Sequence, residues 1–331
     1  MASSVPEPRG SSQVQVRLMR AFGLQEFGTV GSLQELDVPE PAAGEVLVRL
    51  RAASLNAFDC SVVAGRAKDY MEHRFPLIPG LDGAGTIEAL GADVSGFSVG
   101  DDIFGIAQKP FIGQGTLAEY GTFPTETIAA KPAAIEFGAA AALPTAGLTA
   151  LSAIEALDPR DGQVVVVFGA TGGVGSYAVQ LAATSGAHVI AVTRNEYAEY
   201  ARSLGAAEVI DYTAGDSVQQ VRASFPEGID GVLDFAGRPE LVAAMADLVH
   251  SGGRVVSTIG AADHDELAKR GIEGINANRA GSERLTELAG LVENGRLRAP
   301  KLNVYPLDRA AAALAEQAER HVPGKIVIAI A

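Results

Sequence analysis

Hydrophobic and polar residues alternate in two different rhythms along this chain. Residues 45–51 (EVLVRLR) alternate apolar and polar except at Leu47, the period of a half-buried strand. Residues 83–89 follow a turn at Pro79-Gly80, and Val99-Gly100-Asp101-Asp102 reads as another turn before a short strand. No long helical period appears before Ile135. Residues 19–130 therefore predict a largely antiparallel β domain.

The rhythm changes near Ala139. Residues 139–156 are rich in Ala and Leu and predict a helix interrupted at Pro144. Residues 164–168 (VVVVF) form a continuous apolar run, the mark of a parallel strand buried on both faces. Further strands are predicted at 188–192, 207–211, 229–235 and 254–259, with helices at 198–204 and 239–249 between them. Alternating strands and helices imply right-handed crossovers and a doubly wound α/β sheet. Helices at 282–294 and 308–320 and a strand at 325–330 (KIVIAI) follow. Pattern alone does not say which sheet that last strand joins.

One stretch carries chemistry. In residues 164–182, VVVVFGATGGVGSYAVQLA, a buried strand runs into a glycine-rich turn that opens a helix. Val174, Ala178, Leu181 and Ala182 form one apolar helical face, and Gly186 stops the helix. This is the context of a dinucleotide-binding turn. Glycines keep the turn tight and let backbone approach a pyrophosphate, which sits on the N–H groups of the helix start. Candidate contacts are Ala170, Thr171, Gly172, Gly173 and Val174. Ala170 stands where the strict G-x-G-x-x-G has its first glycine, so the motif is a variant. The next strand ends Val192-Thr193-Arg194-Asn195 with no carboxylate at its tip. An NAD site places an acid there for the ribose 2′-hydroxyl. Thr193 and Arg194 suit a 2′-phosphate instead, which predicts NADP(H), with Glu196 nearby as the argument for NAD.

Composition narrows the partners. Of the 331 residues, 47% are hydrophobic and 20% charged, so a folded, soluble chain long enough for two domains is expected. A formal charge of −14 disfavours nucleic acid and anionic membranes. Cys60 is the single cysteine, so no internal disulfide or cysteine zinc cage can form, which fits a reducing cytoplasm. Residues 1–16 contain no signal-like apolar run and read as a flexible tail. The G-x-S-x-G at residues 96–100 lacks the strand–turn–helix context of a hydrolase nucleophile.

Eight stretches together resemble the zinc-independent, quinone oxidoreductase-like branch of the medium-chain dehydrogenase/reductase superfamily. They are SLNAFD (54–59), PLIPGLDGAG (76–85), GDDIF (100–104), GTLAEY (115–120), AALPTAGLTA (141–150), the GATGGVG turn, LGAAEVIDY (204–212) and GKIV (324–327). The resemblance implies a GroES-like catalytic domain at 17–132 and 299–331 and an inserted Rossmann domain at 133–298. It implies a homodimer or homotetramer joined through the Rossmann sheets. The zinc ligands of related enzymes would fall at Asn56, Leu81 and Ala141, none of them a normal zinc ligand. No metal is therefore expected.

The same resemblance implies that Asn56 lies beside the nicotinamide, where its amide could orient a carbonyl oxygen; otherwise it merely supports a turn. Asp59 is expected to fix that loop. Thr145 is expected to pack against the nicotinamide, with further cofactor contacts at Tyr212, Ala236, Gly237 and Ile259. Related enoyl reductases donate a proton from a tyrosine, for which Tyr70, in the loop 65–75, is the nearest candidate. Water, His73, or an exposed Tyr70 with no role are the alternatives. The expected activity is NADPH-dependent reduction of a quinone or α,β-unsaturated carbonyl. A tailoring enoyl reductase and a nucleotide-binding relative without turnover are the competing readings.

Overall fold

Val164–Phe168 lies at the centre of a six-stranded parallel sheet. The computed structural model describes residues 17–319 and 321–331. The tail expected at 1–16 lies outside them. The sheet order is Glu208–Asp211, His188–Thr193, Val164–Phe168, Ile229–Asp234, Val249–Ser257, Glu273–Asn276. Strand order reverses beside Val164–Phe168, so a crevice opens at the carboxyl end of that strand. Helices cover both faces: Pro144–Leu157 and Gly173–Thr184 share one core, and Ser217–Ser224 and Pro239–Ala246 pack in the other. The predicted interruption at Pro144 is seen: a short helix, Phe137–Ala141, ends before Pro144 starts the next.

The β domain is centred on Glu45–Ser54, which pairs antiparallel with Asp82–Leu90 on one side and, in its first half, with Tyr120–Pro124 on the other. Lys325–Ala329 pairs antiparallel with the second half of Glu45–Ser54, so the last strand returns to this sheet. Leu302–Pro306 lies beyond it. Two-stranded ribbons, Leu18–Gly23 with Ser32–Asp37 and Glu72–Ile78 with Phe111–Gln114, flank this sheet. The architecture is the expected α/β arrangement of a GroES-like β domain and a Rossmann-like sheet.

Several elements depart from the sequence pattern, the unpredicted strand Leu302–Pro306 and short helix His264–Ala268 among them. The sixth parallel strand, Glu273–Asn276 (EGIN), was not predicted; it is four residues long, contains Gly274, and lies at the sheet edge. The helix Ser217–Ser224 was also missed, because its apolar face is only Val218 and Val221. The strand expected at 254–259 begins earlier and ends sooner, at Val249–Ser257. Ser98 sits between strands, with Asp102–Ile106 following, so no hydrolase elbow is present.

Candidate active site

The carboxyl end of Val164–Phe168 opens into a cleft of about 500 Å³, ordinary for a small-molecule site. One wall is Rossmann: Thr171, Gly172, Gly173 and Val174. The other comes from the β domain: Leu55, Asn56, Gly324 and Lys325. Gly324 N donates to Thr171 O at 2.7 Å, which stitches the two walls together.

The turn is built one residue earlier than the sequence motif suggests. Gly169 has φ of 71°, the left-handed geometry that a side chain resists, and Gly172 N donates to Gly169 O at 3.0 Å. Ala170 is fully buried under the turn, not in the cleft. Gly175 packs against it; a Cβ there would meet Gly169 O at 2.1 Å. No side chain caps the helix Gly173–Thr184 at Gly172, so its first N–H groups are left for a ligand. The cradle fits the pyrophosphate of a dinucleotide.

At the next strand tip, Arg194 Nε donates to the Tyr212 hydroxyl at 2.9 Å, and both line the cleft. Glu196 is 3.5 Å from the guanidinium and is not a cleft residue. The Thr193 hydroxyl is turned inward to Thr171 Oγ1 at 2.8 Å. Thr193 lines the cleft with its hydroxyl already paired to Thr171, and the Arg194 guanidinium lines it beside Tyr212. Arg238, missed from sequence, sits with its guanidinium 5.8 Å from the Tyr212 ring centre. Ala236 and Ile259 line the cleft; Gly237 does not, and its N–H is held by Asp234 Oδ1 at 3.1 Å.

Asn56 sits at the start of the helix Ala57–Val63, in the cleft wall. Its amide is held at both ends. Nδ2 donates to Asp82 Oδ2 at 3.0 Å, and Oδ1 accepts from Lys325 Nζ at 2.7 Å. Asp59 fixes the loop, accepting the Asn56 N–H at 2.7 Å. Thr145 is not a cleft residue. Its hydroxyl donates to Asp82 Oδ1 at 2.6 Å and its N–H to Asp82 Oδ2 at 3.2 Å, so it anchors the acid beneath Asn56. Ala146 takes the expected place in the wall.

Asp59 and Asp82, beneath the cleft, and Lys325, at its wall, form a buried charged cluster. Burial pushes the Asp59 carboxyl up to about 7. Burial also raises Asp82, against the pull of Lys325 and the donors Thr145 and Asn56. It lowers Lys325, against the two acids. Sequence reading named Asp59 but passed over Asp82 and Lys325, although both lie in quoted stretches. A lone lysine opening an otherwise apolar strand was the available signal.

Tyr70 is 85% exposed and is not among the cleft residues. It lies in a turn before Glu72–Ile78, on the solvent side of a loop whose Ala67 and Met71 pack on the β-domain core. The proton-donor assignment is corrected on that ground. Among the described residues, no group of three or more His, Cys, Asp or Glu side chains could hold a metal ion.

Comparison with known proteins agrees with this geometry. A family described as alcohol dehydrogenase GroES-like domain matches residues 42–133, and one described as zinc-binding dehydrogenase matches residues 204–328. A chloroplast envelope quinone oxidoreductase homolog of Arabidopsis thaliana is 30% identical, covering 94% of this chain and 98% of its own. An NADPH-dependent alkenal/one oxidoreductase of the same plant, chloroplastic, is also 30% identical, over 94% of this chain and 79% of its own. A solved NAD-dependent alcohol dehydrogenase superposes with a TM-score of 0.86 at 31% identity, over 95% of this chain and all of its own. The chain belongs to the medium-chain dehydrogenase/reductase superfamily, with quinone oxidoreductase-like relatives. It is an oxidoreductase of that superfamily, whose members use NAD(P)H.

Proposed function

We propose that this protein is an NADPH-dependent, zinc-independent reductase of quinones or α,β-unsaturated carbonyls. The observation that carries this reading is the continuity of one cleft. It runs from Arg194 and Tyr212, past the uncapped helix start, to the Asn56 amide. A 2′-phosphate would lie against Arg194, and the pyrophosphate over Gly173 and Val174. NADPH supplies hydride when bound. Asn56 has two amide hydrogens, and Asp82 takes one. The other is assigned to the acceptor oxygen, where negative charge develops as hydride arrives at carbon. The balancing proton comes from water.

With neither a cysteine nor a histidine at Asn56, Leu81 and Ala141, the polarising group is this amide and not a metal. The chain is further proposed to be cytoplasmic, in keeping with its single cysteine. A homodimer or homotetramer would form through the Rossmann edge strand Glu273–Asn276.

The test is NADPH oxidation against a panel of quinones and enones, repeated after dialysis with a chelator. Turnover that survives the chelator is expected. Tight NADPH binding with no turnover on any acceptor would overturn the reading in favour of a nucleotide-binding protein.

A further inference from the structure

The lysine that opens the strand Lys325–Ala329 is followed by three buried apolar residues and is itself only 4% exposed. Burying such a group is costly unless its donors and charge are met. Here Nζ donates to Leu55 O and to Asn56 Oδ1, both at 2.7 Å, and it faces the charges of Asp82 and Asp59. Asp82 holds the opposite end of the same amide.

The two contacts act as a polarity key. A donor faces the Asn56 oxygen and an acceptor faces its nitrogen. Rotating the amide by half a turn would set N–H against Nζ and oxygen against a carboxylate. Both contacts would then be repulsive, so only one orientation is stable. The stem of Lys325 reaches this position by passing over the phosphate turn. A Cβ on Gly173 would lie 2.8 Å from Lys325 Cδ. A side chain on Gly173 would therefore have to displace the lysine stem.

We propose that Lys325 is the positioning residue of this site: it holds the Asn56 amide in the orientation that presents N–H to the acceptor and couples that amide to the phosphate turn through Gly173. This rests on the reading that NADPH and an acceptor oxygen share the cleft. Lys325 acts through Asn56, so its removal should be felt in turnover far more than in cofactor affinity.

The experiment is a double-mutant cycle of Lys325→Met and Asn56→Ala, reading kcat, KM and NADPH Kd with the acceptor that wild type reduces fastest. Each single variant is expected to lower kcat about 100-fold. The double variant is expected to fall no more than about threefold below either, with NADPH Kd within about threefold of wild type. Losses that multiply, or an NADPH Kd that worsens as much as kcat, would overturn the proposal. If Lys325→Met does not fold, Lys325→Arg replaces it and keeps a positive charge opposite the two acids. Its broad guanidinium cannot reproduce both short contacts, so the same non-additive loss is expected, and a multiplicative one overturns. Failure of wild type to bind NADPH would sink the functional reading and this inference together. Additivity in an active wild type would sink this inference alone.

Discussion

At the scale of single residues, the site is a set of side chains whose roles depend on what lies beneath them. Asp59 is the clearest case. Its carboxyl, ordinarily near 3.8, is pushed up to about 7 by burial. The folded state therefore holds a proton that the unfolded state releases at lower pH. The stability this group contributes is complete below about pH 4, falls as pH rises toward 7, and is level above that. Asp59→Asn removes the titration. Its melting temperature is expected to gain on wild type between pH 5 and pH 8; a constant difference across that range would contradict the burial argument. The residue scale also shows where reading the sequence stops. The glycine turn was legible because its residues are neighbours in the chain and each has a steric reason. The contact from Lys325 to Asn56 spans 269 positions, and no local pattern announces it. Side-chain direction was equally hidden: Thr193 turns inward to Thr171, and Tyr70 turns to solvent.

At the scale of elements, the strand–turn–helix unit around Gly169 to Gly175 decides whether the Rossmann wall keeps its shape. Gly175 lies so close to the preceding turn that any Cβ would enter the van der Waals space of Gly169 O and Ala170 Cα. Those are backbone atoms and cannot rotate away. Gly175→Ala is expected to destabilise the protein by about 1–3 kcal/mol in chemical denaturation. Gly290→Ala, within the helix Leu285–Glu293 and with no atom near its added Cβ, serves as the opposite case. It should stabilise by about 0.5–1 kcal/mol. Equal effects of the two would refute the packing account. Strands such as Val164–Phe168 were readable because burial on both faces demands an unbroken apolar run. Glu273–Asn276 was not, because an edge strand of four residues needs no such run.

At the scale of the whole molecule, the cleft is shared by both domains, so a ligand there stabilises the assembly of the two and not one alone. NADPH at about 100 times its Kd should add about 2.7 kcal/mol. A rise in melting temperature with NADPH, larger than with NADH at equal concentration, is therefore expected. In Arg194→Ala that preference should vanish, since the guanidinium beside Tyr212 is the group assigned to the 2′-phosphate. Equal shifts with both cofactors in wild type would remove the NADP(H) assignment. The net charge of −14 sharpens the point: an anionic cofactor approaches against the overall field, and Arg194 and Arg238 supply local positive charge along its cleft.

The return of Lys325–Ala329 to the sheet of Glu45–Ser54 also has a bearing on biosynthesis. Every strand of the parallel sheet, from Val164 to Asn276, leaves the ribosome before residue 325 does. The Rossmann unit is continuous in sequence and can collapse during translation. The β domain must keep a strand position open across some 270 residues of loop closure. The second wall of the cleft, at Gly324 and Lys325, is thus synthesised long after the glycine turn that faces it, and the cleft cannot close before then.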